Sequence, residues 1–171
     1  MLRNRAPLAI GAFLVAVLSS GAALAQSVKP LGAPSHDWSA YSASDGNGAI
    51  CFAVSKPTEV SPSPEGYTQA YLYLTHRPTE HVTNELSLIA GFMLAADQPA
   101  TLTIAGQDFP LFTQNDAAWL VDPTQNDSLA GAMRAGTTVV IAATSDKGIK
   151  ITETFSLAGA TAASKAIDTG C

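Results

Sequence analysis

Beyond residue 35 the chain alternates apolar and polar side chains over short stretches, the two-residue period of half-buried strands. From Trp38 to Ala43 the residues Trp38, Ala40 and Ser42 share one face; from Ala49 to Ser55, Ile50, Phe52 and Val54 do, with Cys51 pointing to the other side. Ser44-Asp45-Gly46-Asn47-Gly48 between them is a turn, so the two segments predict a hairpin. Lys56 to Gly66, carrying Pro57, Pro62 and Pro64, reads as an exposed loop. Thr68 to Thr75 alternates again, with Tyr71 and Tyr73 on one face and Ala70, Leu72 and Leu74 on the other; His76-Arg77-Pro78 ends it. Asn84 to Leu94 is a longer apolar run in which Gly91 marks a bulge or a close backbone approach.

Thr101–Ala105, Phe109–Thr113 and Ala117–Val121 predict further short strands, the first two joined by a turn at Gly106-Gln107-Asp108. Thr137–Ala143 and Gly148–Leu157 predict a hairpin closed by the Ser145–Gly148 turn. Two segments carry the helical period instead. One starts at Asn126 or Asp127, aligns Leu129, Ala132 and Met133, places Arg134 in its last turn and stops at Gly136. The other is Ala160–Asp168, with Ala163, Ala166 and Ile167 as its stripe. About eight short strands with two short helices, and no alternation of strand with long helix, predict a mainly β fold: an antiparallel β-sandwich or partly open barrel.

The start of the chain has a different pattern. Arg3 and Arg5 precede the unbroken run Leu8–Leu18, and Ala23-Leu24-Ala25 supplies the small-x-small pattern of a signal-peptidase site. Eleven residues are too few for a membrane span, which needs roughly 20. The expectation is therefore a cleaved export signal over residues 1–25 and a single domain over residues 26–171, outside the cytoplasm and without an integral membrane span. Without that segment 7 cations face 14 anions, a net charge of −7. Such a surface repels phosphate backbones, which excludes a nucleic-acid binder built on a basic face.

Two cysteines, Cys51 and Cys171, remain in this domain. In an oxidising compartment they are expected to pair and to pin the last residue to an early strand. The rival reading, a reactive thiol or metal ligand, finds no CxxC and no histidine at ligand spacing. His36, His76 and His81 read as solvated loop histidines, and no metal or cofactor is implied. There is no GxSxG, SxxK, GxGxxG or GxxxxGK[ST]. Asp116, Asp122 and Asp127 bracket strand and helix ends, where carboxylates cap and turn. No catalytic residue is assigned. The candidate binding face is Tyr67, Tyr71 and Tyr73, since an open sheet face of tyrosines offers flat area plus hydroxyls; the alternative is a face covered by a loop or helix. Trp38 and Trp119 read as core anchors.

An ordered set of short motifs runs through the domain: Asp37-Trp38, Cys51, Ser55-x-Pro57, Arg77, Asn84-Glu85-Leu86-Ser87, Gly91-Phe92 and Ala118-Trp119. It continues with Ala132-Met133-Arg134-x-Gly136, Ser145-x-x-Gly148, Thr154-Phe155-Ser156-Leu157-x-Gly159, Ala162-Ala163 and Cys171. In this the chain resembles the invasion-associated locus B family of bacterial envelope proteins, over residues 38 to 171. The resemblance implies export to the periplasm, with outer-membrane association or secretion left open. It also implies a link, in founding members, to entry into host cells, notably red blood cells. Relatives in free-living bacteria make invasion an incomplete description of the family, and the family offers no catalytic residues to carry over. Some relatives have a further mid-chain cysteine pair that this sequence lacks, so it fits a two-cysteine branch. The resulting expectation is a non-enzymatic module that binds or supports an envelope or host-cell component, protein or glycan. A periplasmic hydrolase with an unrecognised site and a direct surface adhesin are the alternatives.

Overall fold

The computed structural model describes residues 27–171, so the expected export signal over residues 1–25 lies outside the described residues. Eleven antiparallel strands form one continuous sheet: β1 Lys29–Pro30, β2 Trp38–Ser44, β3 Ala49–Ser55, β4 Glu59–Ser61, β5 Tyr71–Arg77, β6 Val82–Ile89, β7 Ala100–Ile104, β8 Gln107–Gln114, β9 Ala117–Leu120, β10 Thr138–Thr144 and β11 Lys150–Ser156. Helices α1 Asn126–Ala135 and α2 Ala160–Gly170 complete it. The order across the sheet is β1-β2-β3-β5-β6-β9-β8-β7-β10-β11-β4, with β1 and β4 as the edges among the described residues. The expected open, mainly β architecture with two short helices is what forms. The strand number exceeds the expected count of about eight: each of the nine segments read from the sequence forms a strand, and β1 and β4, only two and three residues long, are added to them.

The alternation decides which face is buried. Trp38, Cys51, Ala53, Leu72, Leu74, Leu86, Leu88, Leu102, Phe109, Leu111, Ile141 and Phe155 are at most 2% exposed and line the inner face. Both helices pack against this side through Leu129, Met133, Ala163 and Ile167. The two ends of the sheet are drawn together across the core: Trp38 Nε1 donates to the Ser156 carbonyl (2.9 Å), and the Asp37 amide to that of Ala158 (3.2 Å). The open sheet is thus stitched at one corner while its edge strands stay unpaired with each other.

Cys51 and Cys171 are joined by a disulfide between β3 and the end of α2, 120 residues apart, with Cα atoms 5.8 Å apart. The Ser145–Gly148 hairpin forms with the full β10–β11 ladder. The β7–β8 turn is two residues, Ala105 and Gly106, both at positive φ, the twist that matches a hairpin. Gly136 ends α1 as expected but in extended backbone; a Cβ there would lie 2.6 Å from Ile104 Cγ2, so the absent side chain makes room for β7.

Three expectations are corrected. Lys56–Gly66 is not wholly a loop, because Glu59–Ser61 pairs with β11 along Thr152–Thr154. His76 is no loop residue: β5 runs on to Arg77 and buries it, 7% exposed, while Arg77 ends the strand beside the one-turn 3-10 helix Pro78–Glu80. Trp119 is not a core anchor, since it alternates with the buried Ala118 and Leu120 and therefore lies on the outer face, half-buried.

Gly91 makes the close approach read from the sequence. At φ +75° it accepts the Thr68 amide (2.8 Å) and hydroxyl (3.1 Å) at its carbonyl, and a Cβ would sit 2.5 Å from the Thr68 carbonyl oxygen. Gly91→Ala is expected to cost about 2 kcal/mol from strained backbone plus the displaced strand start. A chemical-denaturation midpoint unchanged by the substitution would contradict this contact.

Candidate binding face and the cluster behind it

The outer face carries a row of side chains in register across six strands. Ser39 on β2 is opposite Val54 on β3, Val54 opposite Tyr73 on β5, Tyr73 opposite Ser87 on β6, Ser87 opposite Trp119 on β9, and Trp119 opposite Phe112 on β8. At the usual strand spacing this row is about 24 Å wide. Two aromatic groups sit on it. Near β2–β5, Tyr41 stacks on Phe52 (centroids 5.5 Å), Phe52 meets Tyr73 (5.9 Å), and Tyr73 meets Tyr71 (6.1 Å). Lys56 Nζ stands 5.9 Å from the Tyr71 ring centre. Near β8–β9, Trp119 stacks on Phe112 at 5.4 Å with rings 23° apart. Both helices pack on the inner side, and among the described residues only the 3-10 turn Pro123–Gln125 and the first residue of α1 come up to the margin of the Phe112–Trp119 pair.

Of the three tyrosines singled out from the sequence, Tyr71 and Tyr73 come together and Tyr67 stands apart. The Tyr67 hydroxyl accepts the Ala70 amide (3.0 Å), and its ring stands where a Cβ on Gly91 would meet it at 3.0 Å. Burial raises the Tyr67 and Tyr73 hydroxyls above the usual phenol range, so both keep their protons as donors. Sequence reasoning missed Tyr41, Phe52, Trp119 and Phe112. Their parity within each strand carried the signal, but it becomes a surface only once the strand order is known.

A hollow of about 470 Å³ borders the tyrosine group, lined by His36, Asp37, Tyr41, Lys56, Pro57 and Tyr71 among others. A second, of about 300 Å³, borders the other group and is lined by Glu85, Leu86, Phe112, Gln114, Trp119, Leu120, Pro123 and Asn126. It opens where β9 ends after Leu120 while β6 continues, so Val82–Leu86 has no strand partner on that side. Arg77 forms an ion pair with Glu85 at its margin. Asp122, next to Pro123, accepts the Thr124 hydroxyl and amide, which holds its carboxyl below the usual range.

On the inner side, His76 gathers a polar cluster. Its Nε2 lies 3.3 Å from Asn84 Oδ1 and 3.6 Å from Asp168 Oδ1 on α2; Asn84 Nδ2 donates to Asp127 on α1 at 2.8 Å. Asn84 adopts φ +54° to do so, at the β5–β6 bulge. Four elements are tied by these contacts, directly beside the disulfide, since Cys51 is the strand partner of His76. Histidine next to a carboxylate is the start of an acid–base device, but the sulfur nearest it along the ladder is held in the disulfide. His36 and His81 lie elsewhere, both at positive φ, His81 capping the 3-10 turn. Asp116, Asp122 and Asp127 do not form a pair: Asp122 caps a turn and Asp127 holds Asn84.

Among known proteins, the chain matches the family model described as Invasion associated locus B (IalB) protein over residues 38–168. It is similar to a solved structure, that of invasion associated protein B from Bartonella henselae. The two are 13% identical with a TM-score of 0.54, over 85% of this chain and 96% of that one. At that identity the likeness carries the fold alone. No curated protein matches the chain.

Proposed function

From a chain that belongs to the Invasion associated locus B family, we propose a non-enzymatic module of the bacterial envelope that binds a protein or glycan component across its outer sheet face. The observation that carries this reading is the registered row from Ser39 to Phe112, with aromatic rings at both ends, on the face opposite to the one the helices cover. Aromatic rings give large, stiff contact area at small entropic cost, which suits recognition of a flat partner. The His76 cluster favours a structural role over catalysis, because each of its polar contacts ties one element of the fold to another.

Residence in the periplasm follows in this proposal from the signal-like segment at residues 1–25 and from a disulfide that an oxidising compartment would preserve. The same face would serve host-cell contact in relatives associated with invasion and envelope upkeep elsewhere, which reconciles one fold with different lifestyles. Residues 26–171 act in this reading as one domain.

The test is retention of periplasmic and outer-membrane extract on the oxidised domain, wild type against Tyr71→Ala/Tyr73→Ala. Loss of two central aromatic contacts should weaken specific retention by about tenfold or more while the far-ultraviolet circular dichroism is kept. Equal retention by the two proteins would remove the tyrosine group from the binding face.

A further inference from the structure

The β8–β9 end of the outer face has a chemistry that the tyrosine end lacks. Phe112 is 47% exposed and Val121 57% exposed, large apolar areas left open beside the half-buried Trp119. Around them the 300 Å³ hollow adjoins two others. One, of about 270 Å³, shares Phe112 and contains Asp97; the other, of about 440 Å³, shares Glu85, Pro123 and Asn126 and contains Asp127 and His81. Glu85 lines the Phe112–Trp119 hollow, Asp97 and Asp127 line the hollows on either side of it, and no lysine or arginine among the described residues lines any of the three. Arg77 neutralises Glu85 from β5, while Asp127 is bonded only to the neutral Asn84 amide among the described contacts. Asp122, adjoining Pro123, is held ionised by Thr124.

An anionic ligand would be repelled by this rim, and a neutral one would gain hydrogen bonds but no charge attraction from it. A guanidinium or ammonium group gains twice, from the face of the indole and from the carboxylates. The apolar area continuing to Val121 asks for apolar side chains next to that cation. Three hollows that follow one another through shared lining residues on β6 and β8 ask for an extended chain rather than a small amine. We propose that the Phe112–Trp119 surface docks an extended segment of a partner protein in which arginine or lysine is flanked by apolar residues. This rests on the reading that the outer face is the binding face and names the partner class at one end of it.

Intrinsic fluorescence tests it directly. Trp38 is 1% exposed inside the core, so a ligand that changes tryptophan emission without unfolding the domain reports on Trp119. A short capped peptide alternating leucine and arginine should change the emission saturably. Its glutamine counterpart should bind about tenfold more weakly, its glutamate counterpart not at all, and added salt should weaken the arginine peptide. By calorimetry Phe112→Ala and Asp127→Asn should each weaken the arginine peptide about fivefold or more, while Tyr71→Ala leaves it unchanged. Equal binding of the glutamine or glutamate peptide, preference for a neutral hexasaccharide, or no change in Trp119 emission with the arginine peptide would overturn the proposal. Extract retention that survives Phe112→Ala but is lost in Tyr71→Ala/Tyr73→Ala would overturn it too, while leaving the broader reading of the face intact.

Discussion

Glu153→Gln is expected to stabilise the protein strongly at pH 8.5 and hardly at all at pH 4.5. Glu153 is on the inner face of β11, 2% exposed, in a row with Ile141 on β10 and Leu102 on β7 and between Ile151 and Phe155 on its own strand. Its Oε1 has no hydrogen-bond partner among the described residues. Desolvation pushes its carboxyl from 4.5 up to about 8. Tyr67, the ionisable neighbour whose own proton feels this carboxylate, is neutral throughout the range and offers no compensating charge. Between these two values the unfolded chain has released the proton and the folded chain keeps it. Folded protein then binds more protons, and stability falls as pH rises.

The contribution is fully present below pH 4.5 and is lost by about pH 8, a decline of at most about 5 kcal/mol. A glutamine, which cannot ionise, should flatten that slope and raise the melting temperature at high pH by on the order of 10 °C. Asp122 has the opposite sign, but its carboxyl is exposed and titrates below this window. Melting curves of both proteins from pH 4.5 to 8.5 decide the matter. Parallel pH profiles would show that Glu153 is solvated or paired in solution.

Loss of the disulfide is the second large effect. Cys51→Ala/Cys171→Ala opens a loop of 120 residues, whose closure restricts the unfolded chain by about 4–5 kcal/mol. The melting temperature should drop by on the order of 10 °C. The loss should be uneven: α2 is held by Cys171, by the His76–Asp168 contact and by Ala160, Ala163 and Ile167 in the core. Amide exchange should therefore quicken first in Ala160–Gly170, with the β10–β11 ladder following only at global unfolding. Uniform exchange across the two regions in the double variant would mean that the bond acts on the whole sheet rather than on the helix it anchors.

What the sequence makes legible is local. The β2–β3 and β10–β11 hairpins are read correctly because alternation and turn residues are adjacent in the chain. Gly91 is legible because only a missing side chain explains glycine in that apolar run. Strand β4 is hidden because three residues between prolines carry no period, and the edge of β11 alone makes them a strand. His76 continues the parity of Leu72 and Leu74, yet Pro78 two residues on disguises the strand as its end. Glu153 shares parity with Ile151 and Phe155, a pattern that foretells its burial once the strand is traced residue by residue. The binding face is the least legible. Trp119 opposite Ser87, and Ser87 opposite Tyr73, are long-range pairings that no single segment contains.

The stitch between Trp38 and Ser156 sets a condition on how this molecule comes into being. A nascent chain carries its indole and first thiol well ahead of their partners, which arrive 118 and 120 positions later. High contact order of this kind slows folding and leaves early hairpins waiting with an uncovered apolar side. Until then the β2–β3 ribbon has an apolar side without its cover, and its closure waits on Ser156 and on the helix that carries Cys171.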